Sequence, residues 1–192
     1  MGYQESEEFF SRLFDELFPI LRSITGPGLR HSYSIFSRYM PLDVSSIPSG
    51  EQIFDWTVPQ EWHCQEAYLI GPNGEKIADM HRLNIEVVNY SEPVDVELSL
   101  NELQQHLYSL PEQPSAIPYV TSYYKRRWGF CLAHENREKL KEGTYRAVIK
   151  SQFINGTLDI AQTILPGNSE KEVLLSSYLC HPSMANNELS GP

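Results

Sequence analysis

His181 follows directly on an apolar run over residues 173–180, and Asn186, Asn187 and Glu188 follow it within seven residues. Imidazole nitrogen together with amide and carboxylate oxygen is a donor set that suits a zinc-like ion. In an open α/β sheet, ligand sites gather just outside the carboxyl ends of the strands. The apolar run fits a central strand buried on both faces, and Ser190-Gly191 would open a following helix tightly. The same residues also fit a capped turn with a hydrogen-bonded histidine. Spacing alone leaves both readings open.

Other residues could carry chemistry. Ser-Ile-Thr-Gly-Pro-Gly-Leu-Arg over 23–30 would aim free N–H groups at an anion if a helix starts there, and Arg30 would then grip a substrate carboxylate. As a plain connector, its Gly and Pro simply separate two helices. It is not a P-loop, because no Gly-Lys-Ser/Thr follows. His63-Cys64 and Cys131 are metal ligands only if folded together, and otherwise ordinary β residues. Cys180 reads as a small hydrophobe at a strand end rather than a nucleophile. His31, His81, His106 and His134 have no ligand partner at recognisable spacing. Lys125-Arg126-Arg127 reads as a solvated strand end. The aromatic cluster over 119–128 serves packing, or lines a ligand groove.

Composition narrows the classes. With 192 residues there is room for one ordinary domain or two small ones. Hydrophobic residues reach 41% and charged residues 21%, a globular balance. A net charge of −10 disfavours nucleic acid, which needs clustered Lys and Arg on its phosphates. No apolar stretch approaches the roughly 20 residues that span a bilayer. The acidic start has no signal-peptide core. Three widely spaced cysteines argue against a disulfide framework and for a reducing cytoplasm.

The elements that must position these residues follow from periodicity. Apolar residues from Phe9 to Leu21 recur at three- and four-residue spacing, which predicts an amphipathic helix over 5–24, with a kink or new turn at Pro19. A second helix is expected over 29–39, presenting Leu29, Tyr33, Phe36 and Met40. Strands are expected over 53–58, 66–70, 76–80 and 83–90, with Gly71-Pro72-Asn73-Gly74 as a hairpin turn. Ser99 and Glu102 form a capping-box pattern ahead of a helix over 100–108. Short strands are expected over 119–124 and 128–132, and a short helix over 134–141. A strand over 145–154 is expected to turn at Asn155-Gly156 and return over 157–165. The run over 173–180 is expected as the buried central strand.

Several stretches carry a family likeness. "LDIAQTILPGNSEKEVLLSSYLCHPSMANNELSGP" resembles the M28-type zinc aminopeptidase pattern. "LFPILRSITGPGLR", "IFDWTVPQEW", "YSLPEQPSAIPYVTSYYKRRWGFCL" and "CHPSMANNELSG" resemble one branch of it, aminopeptidase-like bacterial proteins of the DUF4910/DUF2172 type. Members are often described as polysaccharide-biosynthesis proteins with an aminopeptidase-like domain. The resemblance covers essentially the whole chain.

That resemblance implies an α/β, three-layer aminopeptidase-like domain, partial here, over 1–44 and 131–192. A β-rich domain is inserted over 45–130. It implies that His181 is the strand-end metal ligand, that Asn187 stands where the superfamily has a bridging Asp, and that Glu188 is its neighbour. An amide oxygen is a weaker ligand than a carboxylate, so one zinc ion is expected rather than two, or a liganding role for Glu188. Ser183 stands where an Asp would support the histidine. The implied activity is zinc-dependent hydrolysis of a small peptide or amide, with a Glu as general base. That Glu and the other ligands are expected beyond residue 192, which makes the chain a truncation that cannot complete the site alone. The alternative is a non-catalytic binding or regulatory protein on the same fold, linked to polysaccharide biosynthesis. No nucleic-acid or membrane partner is expected. The β-rich insert could join copies into a homo-oligomer.

Overall fold

The computed structural model describes residues 3–183, with side chains described from residue 6. In chain order the elements are α1 (Tyr3–Leu17), α2 (Pro27–Phe36), β1 (Asp43–Pro48), β2 (Gln52–Ile53), β3 (Trp56–Thr57), β4 (Glu61–Ile70) and β5 (Lys76–Asp79). A 3₁₀ turn (Asn84–Glu86) leads to β6 (Val94–Ser99) and α3 (Leu100–Leu103). A second 3₁₀ turn (Gln104–His106) leads to β7 (Leu107–Tyr108), β8 (Phe130–Cys131), α4 (His134–Arg137), β9 (Thr144–Ile154) and β10 (Thr157–Gln162). The chain is therefore a mixed helix and strand protein with open sheets.

It divides into two compact units. One comprises Met1–Glu61 with Asn155–Pro192, and the other Trp62–Ile154. The insert expected over 45–130 overlaps the second unit, whose edges lie at 62 and 154.

In the first unit, α1 ends at Leu17 because Pro19 has no N–H to continue the ladder. Gly26, at φ 94, turns the chain into α2, and Pro27 occupies its first turn, where a missing N–H is harmless. Leu17, Leu29, Ile35 and Phe36 make the buried core of this unit, together with Leu179. Phe10 lies outside it, 55% exposed. β1 pairs antiparallel with β10, from Asp43 opposite Gln162 to Pro48 opposite Thr157. This corrects the expected return hairpin. Asn155-Gly156 does turn the chain, but β10 takes its ladder from β1. The strand expected over 53–58 is instead the tight β2–β3 hairpin, with Phe54 at φ 54 at its tip.

The run over 173–180 is also corrected: it forms no strand. Val173, Leu174 and Leu175 are 88%, 87% and 91% exposed, while Leu179 is buried. A central strand needs a ladder partner on each edge, and among the described residues no strand pairs with it.

In the second unit a four-stranded sheet has the order β5-β4-β9-β6. β5 returns on β4 through the turn at 71–74, as its Gly and Pro predict. β6 pairs along β9 from Val94–Ile149 to Ser99–Thr144. Ala67 and Leu69 of β4 and Tyr145, Ala147 and Ile149 of β9 are buried at alternate positions, and Val148 on the opposite face of β9 is buried as well. The capping box is present in full, with Ser99 and Glu102 exchanging side-chain and main-chain bonds. The helix it starts runs only four residues before the 3₁₀ turn and β7. The segment 83–90 is a 3₁₀ turn followed by isolated bridges, not a strand.

Candidate functional site

The segment carrying His181 is fastened to the helical core of the first unit and to the chain between α1 and α2. Leu179 enters the helical core. Arg22, fully buried, donates from Nε to the main-chain oxygen of His181 at 3.1 Å. The same guanidinium donates from Nη1 to the Leu17 carbonyl at 2.6 Å and to Ser32 Oγ at 3.5 Å. Ser183, at φ 50, donates from Oγ to the Phe18 carbonyl at 3.4 Å. Arg22 thus ties the end of α1, the middle of α2 and the His181 backbone together. Burying a guanidinium is costly unless its donors find acceptors, and here two carbonyls and a hydroxyl take Nε and Nη1.

The close approach of α2 to the preceding chain depends on Gly28. A Cβ there would run into the main-chain oxygen of Leu21. Ser32 Oγ donates to the Gly28 carbonyl at 2.9 Å. Ser23 and Thr25 are buried, and Ser23 Oγ donates to the Thr25 carbonyl at 2.7 Å. The 23–30 loop is packed as a connector.

His181 is only partly buried. Both its ring nitrogens lie 3.9–4.0 Å from Cys180 Sγ, and the Tyr178 ring meets its ring edge-on at 6.0 Å. Asn187 and Glu188, the other expected ligands, lie outside the described residues. Among the described residues no three His, Cys, Asp or Glu side chains gather as a metal-binding group. By donor type alone, the His181 imidazole and the Glu188 carboxylate suit a zinc-like ion, and the neutral Asn187 amide is the weakest of the three.

Arg30 meets two carboxylates of its own unit. Nη1 and Nη2 each donate to an oxygen of Glu61 at 2.8 Å, and Nη1 also donates to Asp159 Oδ2 at 3.0 Å. Glu61 and Asp159 are 3% and 2% exposed, whereas Arg30 is 41% exposed. Ser46 and Thr157 donate their hydroxyls to Asp159 Oδ1 at 2.7 and 2.8 Å, and the Thr157 N–H donates to Glu61 at 2.8 Å. The hydrogen bonds Arg30 donates to Glu61 head the causes that hold it charged above its ordinary value. Burial alone would raise Asp159, but the bonds from Ser46, Thr157 and Arg30 outweigh it and lower its pKa. The two acidic residues were not legible as partners in the sequence. The one hint is Gly156, where a Cβ would strike the Glu61 carboxylate.

Cys64 and Cys131 are free thiols, both pushed up to about 12 by burial. Such thiols are poor metal ligands, since the thiolate is the ligand form. His106 stacks on Trp128 at 3.6 Å between centroids, and His134 Nδ1 bonds Ser109 Oγ at 2.9 Å. Lys125-Arg126-Arg127 is loop rather than strand end, and Arg127 turns inward to the Thr121 carbonyl at 2.6 Å. Among the described residues no helix is long and apolar enough to cross a membrane.

Residues 61–152 match the family described as Domain of unknown function (DUF2172). Over 179 residues, 93% of this chain, the sequence is 43% identical to a Clostridium acetobutylicum protein described as "Putative polysaccharide biosynthesis protein with aminopeptidase-like domain". A crystal structure of a "putative peptidase" from the same organism superposes with a TM-score of 0.93 over 97% of this chain, at 42% identity. The chain spans 41% of the first protein and 44% of the second. It is thus similar along nearly its whole length to proteins named for an aminopeptidase-like or peptidase domain.

Proposed function

We propose that this chain is part of an aminopeptidase-like hydrolase that cleaves an amide bond in a small peptide or amide substrate. His181 is its imidazole ligand, and Asn187 and Glu188 are oxygen ligands to one zinc ion, at the edge of a three-layer α/β domain of the M28 type. What carries the reading is the fastening of His181. Its backbone is held by a buried arginine, and the residue is only partly buried. A metal ligand needs a backbone held in place in this way. When bound there, zinc supplies Lewis acidity, polarising a carbonyl and bringing water toward a pKa of about 7. The chain's own contribution is placement. Arg22 fixes the height of residue 181 against α1 and α2, and the Arg30–Glu61–Asp159 cluster locks β1 and β10 onto α2.

The test is zinc-edge anomalous scattering from crystals of metal-replete full-length protein, with hydrolysis of leucine 4-nitroanilide measured alongside. A peak within bonding distance of the His181 ring is expected, absent in His181→Ala, with hydrolysis lost in the same variant. No peak at His181 would sink the hydrolase reading.

One observation favours a second reading, a non-catalytic protein linked to polysaccharide biosynthesis. Asn187 holds a neutral amide at the expected bridging position, and the printed description of the relative names polysaccharide biosynthesis. Under it, zinc binding is weak and no amide is cleaved.

A further inference from the structure

The loop over 119–128 in the second unit is built more firmly than an ordinary surface loop. Its base is pinned on both sides by the 88–92 segment. Asn89 N–H donates to the Val120 carbonyl and Ser122 N–H to the Asn89 carbonyl, both at 2.9 Å. Glu92 N–H donates to the Arg127 carbonyl at 3.0 Å. Buried Ser122 adds two hydroxyl bonds, to the carbonyls of Asn89 and Tyr90. Arg127 closes the base from inside, on the Thr121 carbonyl and over the Tyr108 ring. Tyr90, at φ 64, is a bulky residue in the left-handed region. Its ring stacks with Trp62 and meets Tyr123 and Phe153. Strain at such a residue persists where the surroundings over-determine it.

What this scaffold presents is specific. The Tyr119 and Tyr123 hydroxyls sit 2.8 Å apart. The Arg126 guanidinium carbon lies 3.6 Å from the centre of the Phe153 ring. Tyr124 is 84% exposed, and Lys125 beside it is exposed. Lys125 and Arg126 are both exposed, neighbours in sequence of the exposed Tyr124, on a chain whose net charge is −10. We infer that this loop is a binding face for an acidic saccharide. Tyr124 would stack against a sugar ring, and Lys125 and Arg126 would meet its carboxylates. Polymeric nucleic acid fits less well, because it draws on roughly six to ten phosphate contacts and this loop exposes two cations. The choice of a saccharide rests on the second reading above; the preformed aromatic and cationic face does not, and it requires no hydrolysis at His181.

The experiment is calorimetry on the full-length protein with uronic-acid hexasaccharides from galacturonan, alginate and hyaluronan. A neutral chitin hexasaccharide, a hexaglutamate peptide and a single-stranded oligonucleotide serve as competitors. Every titration is repeated in His181→Ala, so loss of zinc chemistry leaves this readout untouched. At least one acidic sugar is expected to bind, ten-fold or more above the neutral one. Tyr124→Ala and Lys125→Glu are expected each to weaken it at least five-fold with unchanged thermal midpoints, and added salt to weaken it further. The inference is overturned if none of the acidic sugars binds. It is also overturned if neutral sugar, peptide or oligonucleotide binds as well, or if both variants bind like the parent.

Discussion

Arg22 reaches through its Nε to the main-chain oxygen of His181, 159 residues away in sequence, at 3.1 Å. Because Arg22 is fully buried, replacing it removes a charged donor from the His181 carbonyl and another from the Leu17 carbonyl, which keeps the Ile20 N–H at 3.2 Å. Hydrogen bonds to a charged group contribute about 1.5–3 kcal/mol each, and stranded acceptors cost comparably. Arg22→Ala should therefore destabilise the first unit by about 3 kcal/mol in urea unfolding. Amide exchange over 179–183 should rise before exchange in β9 does. Equal protection in both segments would contradict this anchoring.

Gly28→Ala should destabilise although alanine is the better helix former. The added methyl would collide with the Leu21 main-chain oxygen, which cannot swing aside as a side chain would. Overpacking of this kind costs about 1–3 kcal/mol, more than the roughly 1 kcal/mol that propensity would contribute. A drop in the urea midpoint is expected. A rise would mean that α2 does not approach Leu21 so closely.

Asp159 should make stability pH-dependent in one direction. Its pKa is lowered in the folded chain, so its contribution is present above the ordinary carboxylate value near 3.8 and is lost as pH falls through the lower folded value. Thermal unfolding between pH 6 and 2 should show a flatter acid limb for Asp159→Asn than for the parent, at lower overall stability. Parallel limbs would contradict the shift.

Phe54 stands at φ 54 and is 97% exposed at the β2–β3 tip. A bulky side chain in that region costs about 1 kcal/mol or more, whereas asparagine tolerates it. Phe54→Asn removes almost no buried contact. It should raise stability by about 0.5–1 kcal/mol, read as a shift of the urea midpoint with an unchanged slope.

Much of this molecule is local, and local structure was legible. The apolar spacing of α1, the Gly-Pro entry to α2, the turn at 71–74 and the Ser99–Glu102 box depend on neighbours within a few residues. Their side-chain chemistry is enough to specify them. Pairing was not legible. Asn155-Gly156 signals a turn equally well whether the next strand pairs with β9 or, as it does, with β1. An apolar run over 173–180 looks like a buried strand, yet burial belongs to whatever packs against it, and here only Leu179 finds a core. Nothing in "LRSITGPGLR" marks Arg22 as buried or Arg30 as the partner of Glu61 and Asp159. The sequence by itself determined which residues could act and which short segments would coil or turn. The tertiary structure decided which charges meet and which strands share a ladder, because those energies exist only once distant segments have been brought together.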